Sequence, residues 1–321
     1  MMETHRRVPG SIAVFGAAGH IGGPLARFVR YKAPQVHLRL ISRSAAKAQE
    51  LRDQFPTSDV AVADYLDPAS LERALFDMQG VFVVTPHFID EAVAMGNLIA
   101  SLRRAGCLTQ LIRIVGFQPD AKLAMVPKVL QDFGSGVATQ HFVARELLDA
   151  SGLPVTYLNL GASMMDNFLR NTSLHNTRTL VWPIRRVPYV DPREVGEAAA
   201  RVFLSGEPGY LHHVHTLNNG HDLLSGPEVA ELMSEVLQQP VYYDGTMESY
   251  LAMTSERLEQ TFGRKGAAEY LWNFFEYEKS IEINWSLNDF LERMLGRKPT
   301  TLRAWIQEHF RQLFPDEGSR P

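Results

Sequence analysis

With a single cysteine, Cys107, the chain of 321 residues can form no internal disulfide. That usage fits a reducing compartment, so a cytoplasmic location is expected. No apolar run approaches the roughly 18 residues of a membrane span, and Met1 to Gly10 is mostly polar, with no apolar signal segment. No block of basic residues occurs either. The formal net charge is −4, which argues against nucleic acid or a membrane surface as a partner. Around His212, His213 and His215 no paired carboxylate or cysteine cluster stands nearby, so no metal is expected. Internal repeats and low-complexity tracts are absent.

What is present is most informative at Gly16-Ala17-Ala18-Gly19-His20-Ile21-Gly22. An apolar run, Ile12 to Phe15, precedes it and predicts a buried parallel strand. An amphipathic run, Gly23 to Tyr31, follows and predicts a helix. Strand, glycine turn and helix form the geometry that seats a pyrophosphate on a helix N-terminus. Gly16 permits the tight turn, Gly19 the approach of phosphates, and Gly22 close helix–strand packing. Gly16, Ala18, Gly19, His20, Ile21 and Gly22 are therefore the expected cofactor-binding residues of this turn.

Strand and helix signals then alternate. Strands are predicted at Val36–Ile41, Val60–Ala63, Val81–Val84, Leu111–Val115 and Val155–Leu160. Helices are predicted at Ser44–Gln54, Pro68–Asp77, Ile89–Ala105 and Val137–Ala150, with Asp67 as an N-cap. The fold class is α/β, a Rossmann-type doubly wound parallel sheet. After Gly161 the rhythm breaks. A loop and short strand over Leu180–Val190 lead to a helix at Pro192–Leu204. Helices follow at Pro227–Leu237, Met247–Thr261, Ala267–Tyr277, Leu287–Met294 and Leu302–Leu313, with a frayed end from Pro315 to Pro321. Residues 1–160, with a return segment at 187–204, are assigned to the nucleotide-binding domain. Residues 161–186 and 205–321 are assigned to a smaller, mostly helical substrate lobe, which carries all four tryptophans.

An NAD-selective site places an acid after the second strand. Here the segment reads Ser42-Arg43-Ser44. Arg43 offers a planar cation and the serines offer hydroxyls, a set suited to a 2′-phosphate, so NADP(H) is the expected cofactor. Asp64, after strand three, is placed to meet the adenine or to close a turn. Asp191 and Glu194 read as a structural helix start.

The chain resembles the NmrA-like family of atypical short-chain dehydrogenase/reductases. Besides the glycine turn, the resemblance rests on Asp64–Leu71, Val81–Pro86, Ser151–Thr156, Met165–Leu169 and Val187–Asp191. It implies NADP(H) along the sheet edge, with Thr85 and Pro86 beside the cofactor. It also implies that the Met165–Phe168 loop, with Asn167, borders the nicotinamide and substrate. Members of this family are either reductases of quinones, dyes, enones and biosynthetic ketones, or nucleotide-binding regulators without turnover.

The Tyr-x-x-x-Lys pair of ordinary short-chain dehydrogenases occurs nowhere in the chain. Strand five ends Arg113-Ile114-Val115-Gly116-Phe117, without a catalytic serine or threonine. His141 stands where many NmrA-like proteins have a lysine, and quinone-reducing relatives are similar in having histidine there. It is the candidate catalytic residue, either donating a proton near neutral pH or holding a ribose hydroxyl. Phe117, Phe133, Phe168 and Trp182 are candidate walls for a flat apolar substrate. The leading expectation is an NADPH-dependent reductase of a quinone, polycyclic ketone or enone, acting as a monomer or homodimer. The rival is a catalytically silent NADP(H) sensor that works through a protein partner.

Overall fold

The computed structural model describes residues 7–118, 120–281 and 285–315. The expected polar segment before Arg7 and the expected frayed end beyond Pro315 lie outside them. Five β/α steps and a sixth strand open the chain: β1 (Ser11–Phe15), α1 (Gly22–Lys32), β2 (His37–Ser42), α2 (Ala45–Gln54), β3 (Asp59–Val62), α3 (Pro68–Leu75), β4 (Gly80–Val83), α4 (Glu91–Ala105), β5 (Gln110–Val115), the short α5 (Lys128–Asp132), α6 (Gln140–Ser151) and β6 (Val155–Leu160). Local chemistry sets most boundaries. Ser44 caps α2, Asp67 caps α3 by accepting from the amides of Ala69 and Ser70, and Asp90 caps α4. Left-handed Gly106 and Gly152 end α4 and α6.

The second half adds β7 (Ser163–Met164), α7 (Thr172–Thr177), β8 (Thr179–Val181), β9 (Val187–Val190), α8 (Pro192–Ser205), β10 (Val214–Leu217), β11 (Leu223–Leu224), α9 (Gly226–Leu237), β12 (Tyr242–Asp244), α10 (Met247–Phe262), α11 (Ala267–Ser280), α12 (Phe290–Leu295), α13 (Leu302–Glu308) and α14 (Phe310–Leu313). The predicted helix over Leu302–Leu313 is thus two, divided at His309.

The main sheet has seven parallel strands in the order β3-β2-β1-β4-β5-β6-β10. The order reverses between β1 and β4, which is where open α/β sheets bind ligands. The central strands β1, β4 and β5 are wholly buried, as their apolar runs require, while edge strand β3 is half exposed. One face packs Leu25, Val29, Phe82, Ile112 and Phe203 under α1 and α8. The other packs Val81, Val83, Leu98, Leu102 and Leu148 under α3, α4 and α6. β10 and α12 also belong to this sandwich, since Leu217, Leu291 and Leu295 lie in the first core. These residues fall inside 205–321, which the sequence assigns to the substrate lobe. The lobe has its own core around Met165, Phe168, Leu180, Met233 and Trp305. No helix among the described residues is long and apolar enough to cross a membrane.

Candidate active site

The glycine turn joins β1 to α1. Gly16 has φ of +67°, a conformation that side chains rarely adopt, and its carbonyl accepts the Gly19 amide at 2.9 Å. A Cβ on Gly22 would stand 2.5 Å from that same carbonyl. No side chain caps the start of α1, where the Gly23 amide donates to the Gly19 carbonyl at 3.0 Å, the Leu25 amide to the Ile21 carbonyl at 3.1 Å, and Pro24 has no N–H. A glycine turn that leads into an uncapped helix N-terminus fits a pyrophosphate. From behind, α8 braces α1, and a Cβ on Gly196 would lie 2.4 Å from the Ile21 carbonyl. Arg43, just past β2, is exposed and makes no ion pair among the described residues. Ser42 and Ser44 bond each other, and Ser44 also caps α2. Asp64 accepts the Leu66 amide at 2.8 Å, so its carboxylate closes a turn.

Beyond the carboxyl ends of β4, β5 and β6 opens a cavity of about 850 Å³. His20 and Ile21 of the glycine turn stand at one side. Thr85, Pro86, Gly116, Phe117 and His141 line the sheet edge, and residues of α10 and α11 form the far wall. Thus the structure brings together His20, Ile21, Thr85, Pro86, His141, Phe117, Asn167 and Trp182.

Three expected substrate residues lie elsewhere. Phe133 packs against Phe88 and Tyr270 under the Arg264 guanidinium, in a separate aromatic cluster. Met165 and Phe168 are fully buried in the lobe core. The reason is local geometry. Residues Met165–Arg170 form a 3-10 helix, in which side chains three apart eclipse. Met164, Asn167 and Arg170 share the face toward the cavity, while Met165 and Phe168 take the face toward the core.

His141 lies in the first turn of α6 and is 9% exposed. Burial, then the charge of Arg113 and that of His87, hold its imidazole well below the ordinary 6.5. These effects favour the neutral form of the side chain. It retains one ring N–H, and its Nδ1 has no partner among the described residues.

The sequence reading passed over two groups. Arg113 sits in the middle of β5 with no exposure, pairs with Glu91 Oε1 at 2.8 Å and donates to Thr85 Oγ1 at 2.7 Å. Thr85 in turn donates to Glu91 Oε2 at 2.8 Å, so its hydroxyl is fixed beside the cavity. An arginine inside an otherwise apolar strand was the available signal. The second group is Asp166, whose Oδ2 meets His20 Nδ1 at 2.5 Å and ties the lobe to the glycine turn. Its other oxygen is buried without a partner among the described residues. Cys107 sits between α4 and β5 and donates to the Met78 carbonyl. No group of His, Cys, Asp or Glu among the described residues could hold a metal.

Strand order, glycine cradle and cavity together define a Rossmann-type nucleotide-binding protein. The NmrA-like family profile matches residues 9–306, and the chain belongs to that family. It is 25% identical over 263 residues to an NAD(P)H azoreductase of Xenophilus azovorans, covering 81% of this chain and 83% of that protein. Among solved structures it is similar to the triphenylmethane reductase of Citrobacter sp. complexed with NADP(H), with a TM-score of 0.73 and 22% identity over 93% of this chain and 99% of that one. It is also similar to an NADPH-dependent quinone oxidoreductase of Escherichia coli complexed with NADPH, with a TM-score of 0.72 and 21% identity over 93% and 99% of the two chains. At these identities the structural likeness concerns the fold.

Proposed function

We propose that the protein is an NADPH-dependent oxidoreductase that reduces a flat, conjugated carbonyl acceptor such as a quinone, polycyclic ketone or enone. One observation carries this reading: a single large cavity runs from the nucleotide cradle, at His20 and Ile21, to aromatic walls at Phe117, Trp182, Phe274 and Phe275. The names of the relatives, which concern azo compounds, a triphenylmethane dye and quinones, support an acceptor of that shape. Arg43 and the absence of an acid after β2 favour NADPH over NADH.

When bound, the reduced nicotinamide supplies the hydride, and one proton completes reduction of the acceptor. The chain's part is to hold and orient. Phe117, stacked on Phe142 at 5.4 Å, gives a rigid apolar wall. Thr85, fixed by Arg113 and Glu91, presents an oriented hydroxyl. His141, whose neutral form is favoured by burial, can donate its ring N–H to a carbonyl oxygen or a ribose hydroxyl. Conjugated acceptors suit such a site, because the charge left by hydride arrival is spread over the ring system. Positioning then matters more than acid strength.

The test is NADPH consumption, followed by absorbance, with a panel of quinones and aromatic ketones. Turnover with NADPH well above that with NADH is expected. Tight NADPH binding without consumption by any acceptor would overturn the enzyme and leave the sensor.

A further inference from the structure

The charge of the cavity wall is at odds with the rest of the molecule. The chain is acidic overall, at −4. Yet among the described residues the ionised side chains lining the cavity are Arg170, Arg185 and Arg257 against a single carboxylate, Glu278. All four belong to the substrate lobe, away from the glycine turn and Arg43.

Glu278 compensates only one of the three cations. Its Oε2 lies 3.1 Å from Arg185 Nε, and its Oε1 accepts from Gln118 at 3.0 Å. Burial raises the pKa of this carboxyl, against the pull of Arg185. Arg185 is 6% exposed and lies over the Phe275 ring at 4.6 Å. Among the described residues Arg170 has one hydrogen bond, to Asn167 Oδ1 at 3.3 Å, and no ion pair. Arg257 has neither a hydrogen bond nor an ion pair among the described residues. Partial desolvation, then the charge of Arg170 nearby, hold its guanidinium below the ordinary range. The Phe275 ring beneath Arg185 meets the Tyr250 ring at 5.9 Å, and Arg257 follows Tyr250 along the cavity face of α10. The indole N–H of Trp182, in the same wall, also has no acceptor among the described residues.

Donors and like charges thus converge with too few acceptors. Such an arrangement repels itself in the free protein and becomes favourable once an anion lies among its members. The phosphates of a dinucleotide belong to the opposite side of the cavity, so the anion must come from the other ligand. We propose that Arg170, Arg185 and Arg257 form an anion subsite that receives a carboxylate or sulfonate carried by the conjugated acceptor. The substrate class narrows accordingly, on the reading of the site as a reductase, to acidic aromatic carbonyl compounds.

The experiment uses a quinone bearing a carboxylate and the methyl ester of the same quinone, which differ in charge but not in ring. For the unmodified enzyme kcat/KM should favour the acid by about tenfold or more, equivalent to about 1.4 kcal/mol. The preference should shrink as salt rises from about 0.02 to about 0.3 M, because Arg170 and Arg257 are exposed at the rim. The double variant Arg170→Ala/Arg257→Ala should bring the acid-to-ester ratio close to one, Arg257→Lys should keep most of it, and Arg257→Glu should invert it. A second arm needs no turnover: quenching of tryptophan fluorescence by naphthalene-2-carboxylate and by its methyl ester, with and without NADP+. Binding of the carboxylate alone, lost in the double variant, would support the subsite even if no acceptor consumed NADPH, in which case the reductase reading fails separately. Equal rates for acid and ester, with ester turnover intact, would overturn the subsite and leave the reductase standing. Equal quenching by both naphthalenes would overturn it as well.

Discussion

Replacing Arg113 by Met tests whether the buried Arg113–Glu91 pair is as costly to break as its surroundings imply. The arginine has no exposure and Glu91 has 2%. Their contact is 2.8 Å, and Thr85 bridges both partners. Methionine fills much of the same volume, so cavity formation contributes little. What remains is a carboxylate in the protein interior with only the Thr85 hydroxyl for company. Breaking such a pair from one side costs about 3–5 kcal/mol, a large share of a typical 5–15 kcal/mol stability. Removing both charges, as Arg113→Met/Glu91→Leu, should restore most of the loss, because no unpaired ion is left behind. Urea unfolding of the four proteins of this cycle gives the coupling energy directly. A single-variant loss below about 1 kcal/mol, the range of exposed pairs, or a coupling near zero, would refute the reasoning. In the same variant the His141 imidazole should titrate higher than in the parent, since the charge of Arg113 is the second cause of its depression.

Arg43→Ala should weaken NADPH by about 1.5–3 kcal/mol, the range of a charge-assisted bond, and leave NADH nearly unchanged. Calorimetric titrations showing equal affinities of the unmodified protein for the two would refute it. Gly19→Val should abolish binding of both nucleotides while the circular dichroism of the folded protein persists. A Cβ there already stands 3.1 Å from the Gly16 carbonyl, and the branches would fill the phosphate space. Normal NADPH binding by that variant would show that the phosphates lie elsewhere. His141 is held below 6.5 in the folded state, so the unfolded chain takes up a proton that the native protein refuses as the pH falls. Stability should therefore drop below about pH 6.5 with an extra slope of up to about 1.4 kcal/mol per pH unit, which His141→Gln removes. Parallel stability profiles for the two proteins would count against it.

The nucleotide half was legible because its signals are local. A glycine that needs a positive φ, an aspartate before Pro68, and an apolar strand of four to six residues each act within a few positions of themselves. The lobe was less legible because its contacts are distant in sequence. Val214–Leu217 can be read as a strand, but nothing in the sequence assigns it to the main sheet; its pairing with β6 does. Met165 and Phe168 carry the right composition for a pocket wall, but a 3-10 turn aims them at the core, and no pattern of apolar residues distinguishes the two faces. Arg113 stood in plain view as an oddity of strand five. Its partner lies 22 positions away across two layers, and the sequence offers no rule that joins them.

The return of the chain to its first layer has a bearing on biosynthesis. The seventh strand is complete at Leu217, yet α12, which covers part of the flank formed by α8 and β10, begins only at Phe290. Some 70 residues must be translated in between, at roughly 5–20 residues per second, which leaves that flank uncovered for roughly 4–15 s. During that interval the nascent protein holds a finished sheet with a bare apolar margin beside Leu217, and the helix that seals it is still to be made. A ribosome stalled within α10 or α11 would therefore display a sticky, nearly native particle, one that folding helpers in the cell would be called on to shield.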